Sequence, residues 1–113
     1  MQIAVVPGDG IGPEVVREGV RVLERAASRY GLSLSFQYVE AGAGTYRSRG
    51  ISITDEAFLV TQKADAIFLG AIGLPNVRYP DGTEVNGPLM QRWRRELDLY
   101  ANLRPIMSTG LRP

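Results

Sequence analysis

One segment, Ile3-Ala4-Val5-Val6-Pro7-Gly8-Asp9-Gly10-Ile11-Gly12-Pro13, constrains this chain more than any other. Its apolar start is rich in β-branched residues and stops at Pro7-Gly8, the pattern of a short buried strand. Glycines at positions 8, 10 and 12 then allow a turn too tight for side chains. Pro13 suits the first turn of a helix, where its missing N–H is unpaired anyway. From Pro13 to Tyr30 apolar residues recur at Val15, Val16, Val20, Leu23, Ala26, Ala27 and Tyr30, a helical stripe facing a core. Gly31 is the expected stop. A strand that feeds a long amphipathic helix through a glycine turn opens an α/β fold.

The remainder continues that alternation. Leu32 to Val39 has every second residue apolar and reads as a half-exposed strand. Ala41 to Gly50 is small and glycine-rich, which predicts a loop with a short helical turn. Thr54-Asp55-Glu56 is an N-cap followed by acids, opening a helix through Lys63. Ala64 to Ala71 is a continuous apolar run, the pattern of a strand covered on both faces. Gly73 to Pro88 should be an exposed loop, Leu89 to Leu97 a short helix and Leu99 to Leu103 a strand. The order predicts a layered α/β fold with a mainly parallel sheet and flanking helices.

Composition narrows the function classes. The chain has 113 residues, and its 13 basic against 12 acidic residues leave a formal charge of +1, which provides no electrostatic footprint for nucleic acid. Cysteine and histidine are both absent, which excludes disulfides, thiolate nucleophiles and imidazole acid–base chemistry. No apolar stretch approaches the roughly 20 residues that span a bilayer, and the first residues lack a signal pattern. A soluble cytoplasmic protein is expected.

Two motifs could carry chemistry, and each has a plainer reading. The Gly8–Gly12 turn could bring backbone N–H groups to an anion at a helix N-terminus, or could simply be a tight turn. Its third glycine comes one residue too early for the G-x-G-x-x-G dinucleotide fingerprint, although Glu40 ends the second strand where that fingerprint wants a ribose-binding acid. Asp9 reads as a turn former through side chain to backbone bonding. The second motif is Arg92, Arg94 and Arg95, followed by Arg104. Convergent guanidinium groups suit a di- or tricarboxylate, whereas arginines on a surface helix are commonly just solvated. Arg92 and Arg95 share a helical face, and Arg94 points elsewhere. Trp93 reads as a packing residue. Acids at metal-ligand spacing are absent.

Taken together, four stretches resemble the isopropylmalate/isocitrate dehydrogenase family of β-decarboxylating dehydrogenases. They are Ile3 to Val15, Gly42 to Ile53, Lys63 to Gly73, and Arg94-Arg95-Glu96-Leu97-Asp98-Leu99-Tyr100-Ala101-Asn102-Leu103-Arg104-Pro105. The resemblance implies a fold distinct from the Rossmann type, which accounts for the misplaced third glycine. It implies that NAD takes hydride from the 2-hydroxyl carbon of a malate-type acid, the 3-carboxylate leaving as carbon dioxide, with Mg²⁺ or Mn²⁺ polarising the oxygen. Arg94 and Arg104 match the family arginines that hold substrate carboxylates, and Gly10, Ile11 and Gly73 fall in loops near the cofactor. Isopropylmalate enzymes carry a Leu-Leu pair where this chain has Gly87-Pro88-Leu89-Met90-Gln91-Arg92. Met90 and Gln91 thus mark the specificity region, with Arg92 adding positive charge near it, and the candidates are isopropylmalate, tartrate or D-malate.

The family's base, its metal ligands and much of its homodimer interface lie in later segments. Residues 1–113 are therefore expected to be the N-terminal part of an incomplete isopropylmalate dehydrogenase-like domain, inactive alone, with catalytic and metal residues outside this segment. A rival expectation is a non-catalytic or regulatory subunit that pairs with a complete homologue. A stand-alone nucleotide binder using Glu40 is the third.

Overall fold

The computed structural model describes residues 1–108 and 110. Its order is β1 (Gln2–Val6), α1 (Gly12–Tyr30), β2 (Ser35–Tyr38), α2 (Ala43–Arg49), α3 (Asp55–Lys63), β3 (Ala66–Leu69) and α4 (Asn86–Glu96). The strands form one parallel sheet in the order β2-β1-β3. The fold is the expected layered α/β arrangement.

Side-chain alternation along β1 divides the core between two layers. Ile3 and Val5 point to one face and pack with Val16 and Val20 of α1. Ala4 and Val6 point to the other and join Phe58, Leu89 and Trp93 of α3 and α4. Because β1 is central and covered on both faces, its residues Ile3 to Val6 are all apolar rather than alternating. The edge strands are less protected: β2 is mostly exposed, as its alternation predicts, while β3 is only partly buried. The continuous apolar run at Ala64–Ala71 predicted full cover. Ile67 and Leu69 do pack on one face and Phe68 on the other, but one side of β3 has no strand neighbour among the described residues, so the cover is incomplete.

Helix boundaries follow local chemistry. Gly31 takes a left-handed φ of 66° at the end of α1, and the Thr54 side chain accepts a hydrogen bond from the Ala57 N–H at 3.1 Å. Other segments differ from their sequence expectation. The predicted loop with a helical turn contains a seven-residue helix, α2. The predicted exposed loop Gly73–Pro88 buries Val77 and Val85 against Ala43, with Tyr46 packing edge-on to Tyr79. Helix α4 begins at Asn86, and Pro88 is tolerated because it occupies the first turn.

The predicted strand Leu99–Leu103 does not form. Helix α4 ends with the Leu99 N–H bonded to the Arg94 carbonyl at 2.9 Å, and the chain then runs on with Leu103, Ile106 and Met107 exposed. A strand needs a neighbouring ladder, and this segment pairs with none of the described strands. Asp98 makes the turn with φ 52°, the one non-glycine with positive φ among the described residues. Asp98→Gly should therefore raise stability by about 0.5–1 kcal/mol in chemical unfolding, by relieving left-handed strain. Unchanged or lower stability would mean that the Asp98 side chain offsets the strain.

Candidate functional site

In an open parallel sheet, ligands favour the carboxyl ends of strands where the direction of strand addition reverses. Here that point lies between β1 and β3, with β2 on the opposite side of β1. The turn Pro7–Gly12 leaves β1 there, and the segment from Gly70 leaves β3. The two are fastened together: the Asp9 N–H donates to the Ala71 carbonyl at 2.7 Å.

Asp9 organises this end of the molecule. It is buried, at 7 % exposure, yet its carboxylate is fully engaged. Oδ2 accepts from the Ala43 N–H at 2.7 Å and from the Gly73 N–H at 2.9 Å. Oδ1 accepts from the Gly44 N–H at 2.8 Å. Asp9 is thus more than a local turn former, because its side chain joins the β1–α1 turn to the start of α2 and to the loop after β3. The anion that the glycine-rich environment invites is supplied internally, and these three amides are not offered to a phosphate. Gly42 makes this close approach possible: its φ is 129°, and a Cβ there would lie 2.4 Å from Asp9 Oδ2. Without knowing these partners, the sequence offered no signal beyond an acid among glycines.

Clefts flank this junction. One of about 510 Å³ is lined by Pro7, Gly8, Tyr38, Glu40, Thr45 and Ser48. Glu40 forms an ion pair with Arg49 at 3.1 Å on its rim. Another of about 310 Å³ lies beside the β3–α4 loop and includes Gly73, Leu74, Arg78, Glu84 and Asn86. A wider groove, about 630 Å³, follows the outer face of α1, but its walls belong to that helix alone and bring no other element's groups to bear.

The candidate cofactor residues Gly10 and Ile11 stand at the exposed tip of the first turn. A Cβ at Gly10 would meet nothing within 4 Å, and Ile11 is 63 % exposed. Through Asp9 the structure links this turn to Gly73. It makes no comparable link between Arg94 and Arg104. Arg94 is exposed near the end of α4, Arg104 is exposed in the segment that follows, and neither joins an ion pair among the described residues. Met90 and Gln91 are also exposed on α4. Among the described residues no group of three acids is placed to hold a metal ion.

Arg92 has a different place. Its Nε donates to Glu96 at 2.9 Å, its Nη2 to Asp55 at 3.2 Å, and its guanidinium lies 4.0 Å from the centre of the Phe58 ring. Partial burial opposes its charge, but the hydrogen bonds to Glu96 and Asp55 outweigh this and raise its pKa above the ordinary arginine value. The positive charge expected near the specificity region is therefore paired, and it ties α4 to α3. Trp93, read as a packing residue, is buried beside it and donates from Nε1 to Thr61 Oγ1 at 3.0 Å.

The chain has clear relatives. A sequence profile of the isocitrate/isopropylmalate dehydrogenase family matches residues 2–111. The D-malate dehydrogenase (decarboxylating) of Escherichia coli is 45 % identical over 107 residues, covering 94 % of this chain and 29 % of the relative. The 3-isopropylmalate dehydrogenase of Carboxydothermus hydrogenoformans is 40 % identical over 109 residues, with the same coverage of 94 % and 29 %. The crystal structure of a beta-decarboxylating dehydrogenase from Thermococcus kodakarensis, in its apo form, superposes with a TM-score of 0.68 at 36 % identity, covering 88 % of this chain and 27 % of that one. The chain thus spans less than a third of the length of these relatives. No described helix is long and apolar enough to cross a membrane. With the family profile matching almost from end to end, this chain belongs to the isocitrate/isopropylmalate dehydrogenase family.

Proposed function

We propose that residues 1–113 form the N-terminal part of an isopropylmalate dehydrogenase-like domain and supply one wall of an NAD-dependent oxidative decarboxylase of a malate-type 2-hydroxy acid. The observation that carries this reading is the continuous family match over residues 2–111, which includes both candidate arginines and the glycine turn. Relatives named for D-malate and for 3-isopropylmalate support a malate-type acid.

In this reading Arg94 and Arg104 hold the substrate carboxylates, for which the planar guanidinium offers paired N–H donors. Met90 and Gln91 precede Arg94 by one helical turn and contact the substituent that distinguishes one malate-type acid from another. Gly10 leaves its backbone open to a flat ligand, and Ile11 provides an exposed apolar surface against which a nicotinamide ring can rest. NAD, when bound, accepts the hydride from the hydroxyl-bearing carbon. The described residues do not fit the Mg²⁺ or Mn²⁺ of the family reaction, since no three acids converge. The complete enzyme, under this proposal, is a cytoplasmic homodimer.

The first assay is NADH formation from D-malate, tartrate and isopropylmalate with Mg²⁺ or Mn²⁺. This chain alone should give no turnover, and clear turnover would overturn the placement of the base and metal ligands outside it. In a chain carrying the remaining family fold, Arg94→Ala or Arg104→Ala should reduce kcat/KM roughly 30- to 300-fold, as expected for losing one charged partner of a carboxylate. Wild-type kcat/KM in either variant would remove the substrate assignment.

A further inference from the structure

We propose that Asp9 is the positioning residue of this site: its carboxylate acts as a built-in anion that sets the spacing between the Gly10–Ile11 turn and the Gly73 loop. Several observations converge on it. The carboxylate is one of only two buried polar or charged side chains among the described residues, the other being Thr61. It accepts three backbone N–H bonds, all of 2.7–2.9 Å, from residues 34, 35 and 64 positions away. Its own N–H closes a fourth bond, to Ala71. The loops after all three strands of the sheet therefore meet on one side chain.

The glycines around it are shaped to that carboxylate. A Cβ at Gly42 would lie within 3.0 Å of all three carboxylate atoms, and one at Gly44 would be 3.2 Å from Oδ1. Gly10, by contrast, has nothing within 4 Å and is not involved in seating Asp9. Gly73 carries the consequence for function, because its N–H is held by the same oxygen that holds Ala43. The Asp9 carboxylate spends its hydrogen bonds on the amides of these loops, so its effect passes through the loops it fixes. The importance of those loops for NAD rests on the reading proposed above, whereas the positioning role itself does not.

Nuclear magnetic resonance on the full 113-residue chain tests the proposal. In wild-type protein, through-hydrogen-bond scalar couplings should connect the Asp9 side-chain carboxyl carbon with the amide nitrogens of Ala43, Gly44 and Gly73. These amides should also exchange slowly with solvent. Asp9→Asn replaces one acceptor oxygen with an NH₂ group that cannot accept, and should shift the signals of Gly73, Gly10 and Ile11 together while leaving those of α1 beyond Val20 in place. Asp9→Ala leaves the three amides without their anion, so molar formate should raise its melting temperature by about 3–6 °C relative to wild type. Formate acting equally on both proteins would mean that Asp9 contributes only packing and would overturn the proposal. If Asp9→Ala does not fold, the wild-type couplings decide: their absence at Gly73 overturns it. A parallel titration with NAD separates the two readings. Perturbation of Gly10, Ile11 and Gly73 that weakens in Asp9→Asn supports both. Intact couplings with no response to NAD uphold the positioning role and remove the cofactor assignment.

Discussion

Gly8→Ala is expected to lower the stability of this chain by roughly 3–6 kcal/mol, most of what a domain of this size possesses. The backbone at Gly8 has φ 76°, a conformation that costs a residue with a Cβ about 1–2 kcal/mol. The added methyl would also lie 2.1 Å from the Ala71 carbonyl oxygen and 3.3 Å from the Ile72 side chain. Neither chain can withdraw without opening the Asp9 to Ala71 hydrogen bond, whose loss adds about 1 kcal/mol. Gly10→Ala is the internal control. Its φ is 56°, but the space around it is open, so only the conformational term applies and the cost should stay near 1 kcal/mol. Urea unfolding of both variants checks the contrast. Equal losses at the two positions would mean that Gly8 and Ala71 are not in contact in solution.

Trp93→Ala should cost about 3–5 kcal/mol, the range for deleting a buried aromatic side chain. Trp93 is 3 % exposed and belongs to the cluster that contains Ala4 and Val6 of the central strand and Phe58 and Leu89 of the helices. It also donates to Thr61, whose hydroxyl in turn donates to the Phe58 carbonyl at 2.7 Å. Trp93→Phe separates the two contributions. It keeps most of the ring and leaves the Thr61 hydroxyl still bonded to Phe58, so the loss should be about 1–2 kcal/mol. Chemical unfolding with tryptophan-independent detection, such as far-ultraviolet circular dichroism, measures both. A loss below 1 kcal/mol for the alanine variant would show that α4 is not packed on α3. Because Arg94 follows immediately, the same variant should also disturb the substrate-binding wall proposed for this helix.

The four arginines illustrate how far a sequence argument reaches. Helical periodicity correctly separated Arg92 from Arg94, since their offset is a property of any helix. It could not tell which of them is engaged. Asp55 and Phe58, which hold Arg92, lie on a different helix, and Asp55 is 37 residues away. Arg94 and Arg104 stand out through resemblance to the family's motif, and among the described residues neither forms an ion pair. The segment Leu99–Leu103 shows the converse. Its residues suit a strand, but strand formation depends on a ladder that other residues must supply, and no described strand lies beside it.

The amino-acid sequence by itself determined those features whose causes are local. A β-branched run forms β1, a glycine turn releases α1, Gly31 ends it, and Thr54 opens α3 through a bond to an amide three residues on. Tertiary structure alone decided what depends on distant partners. It seated the Asp9 carboxylate on three amides, two from the start of α2 and one from the loop after β3. It extended the short helical turn expected within residues 41–50 into the seven-residue α2, and buried Val77 and Val85 within a connection that reads as exposed. The physical reason is the range of the interactions. Propensity and capping act within a helical turn or a few residues of strand, whereas a buried carboxylate is stable only where the whole fold delivers its donors.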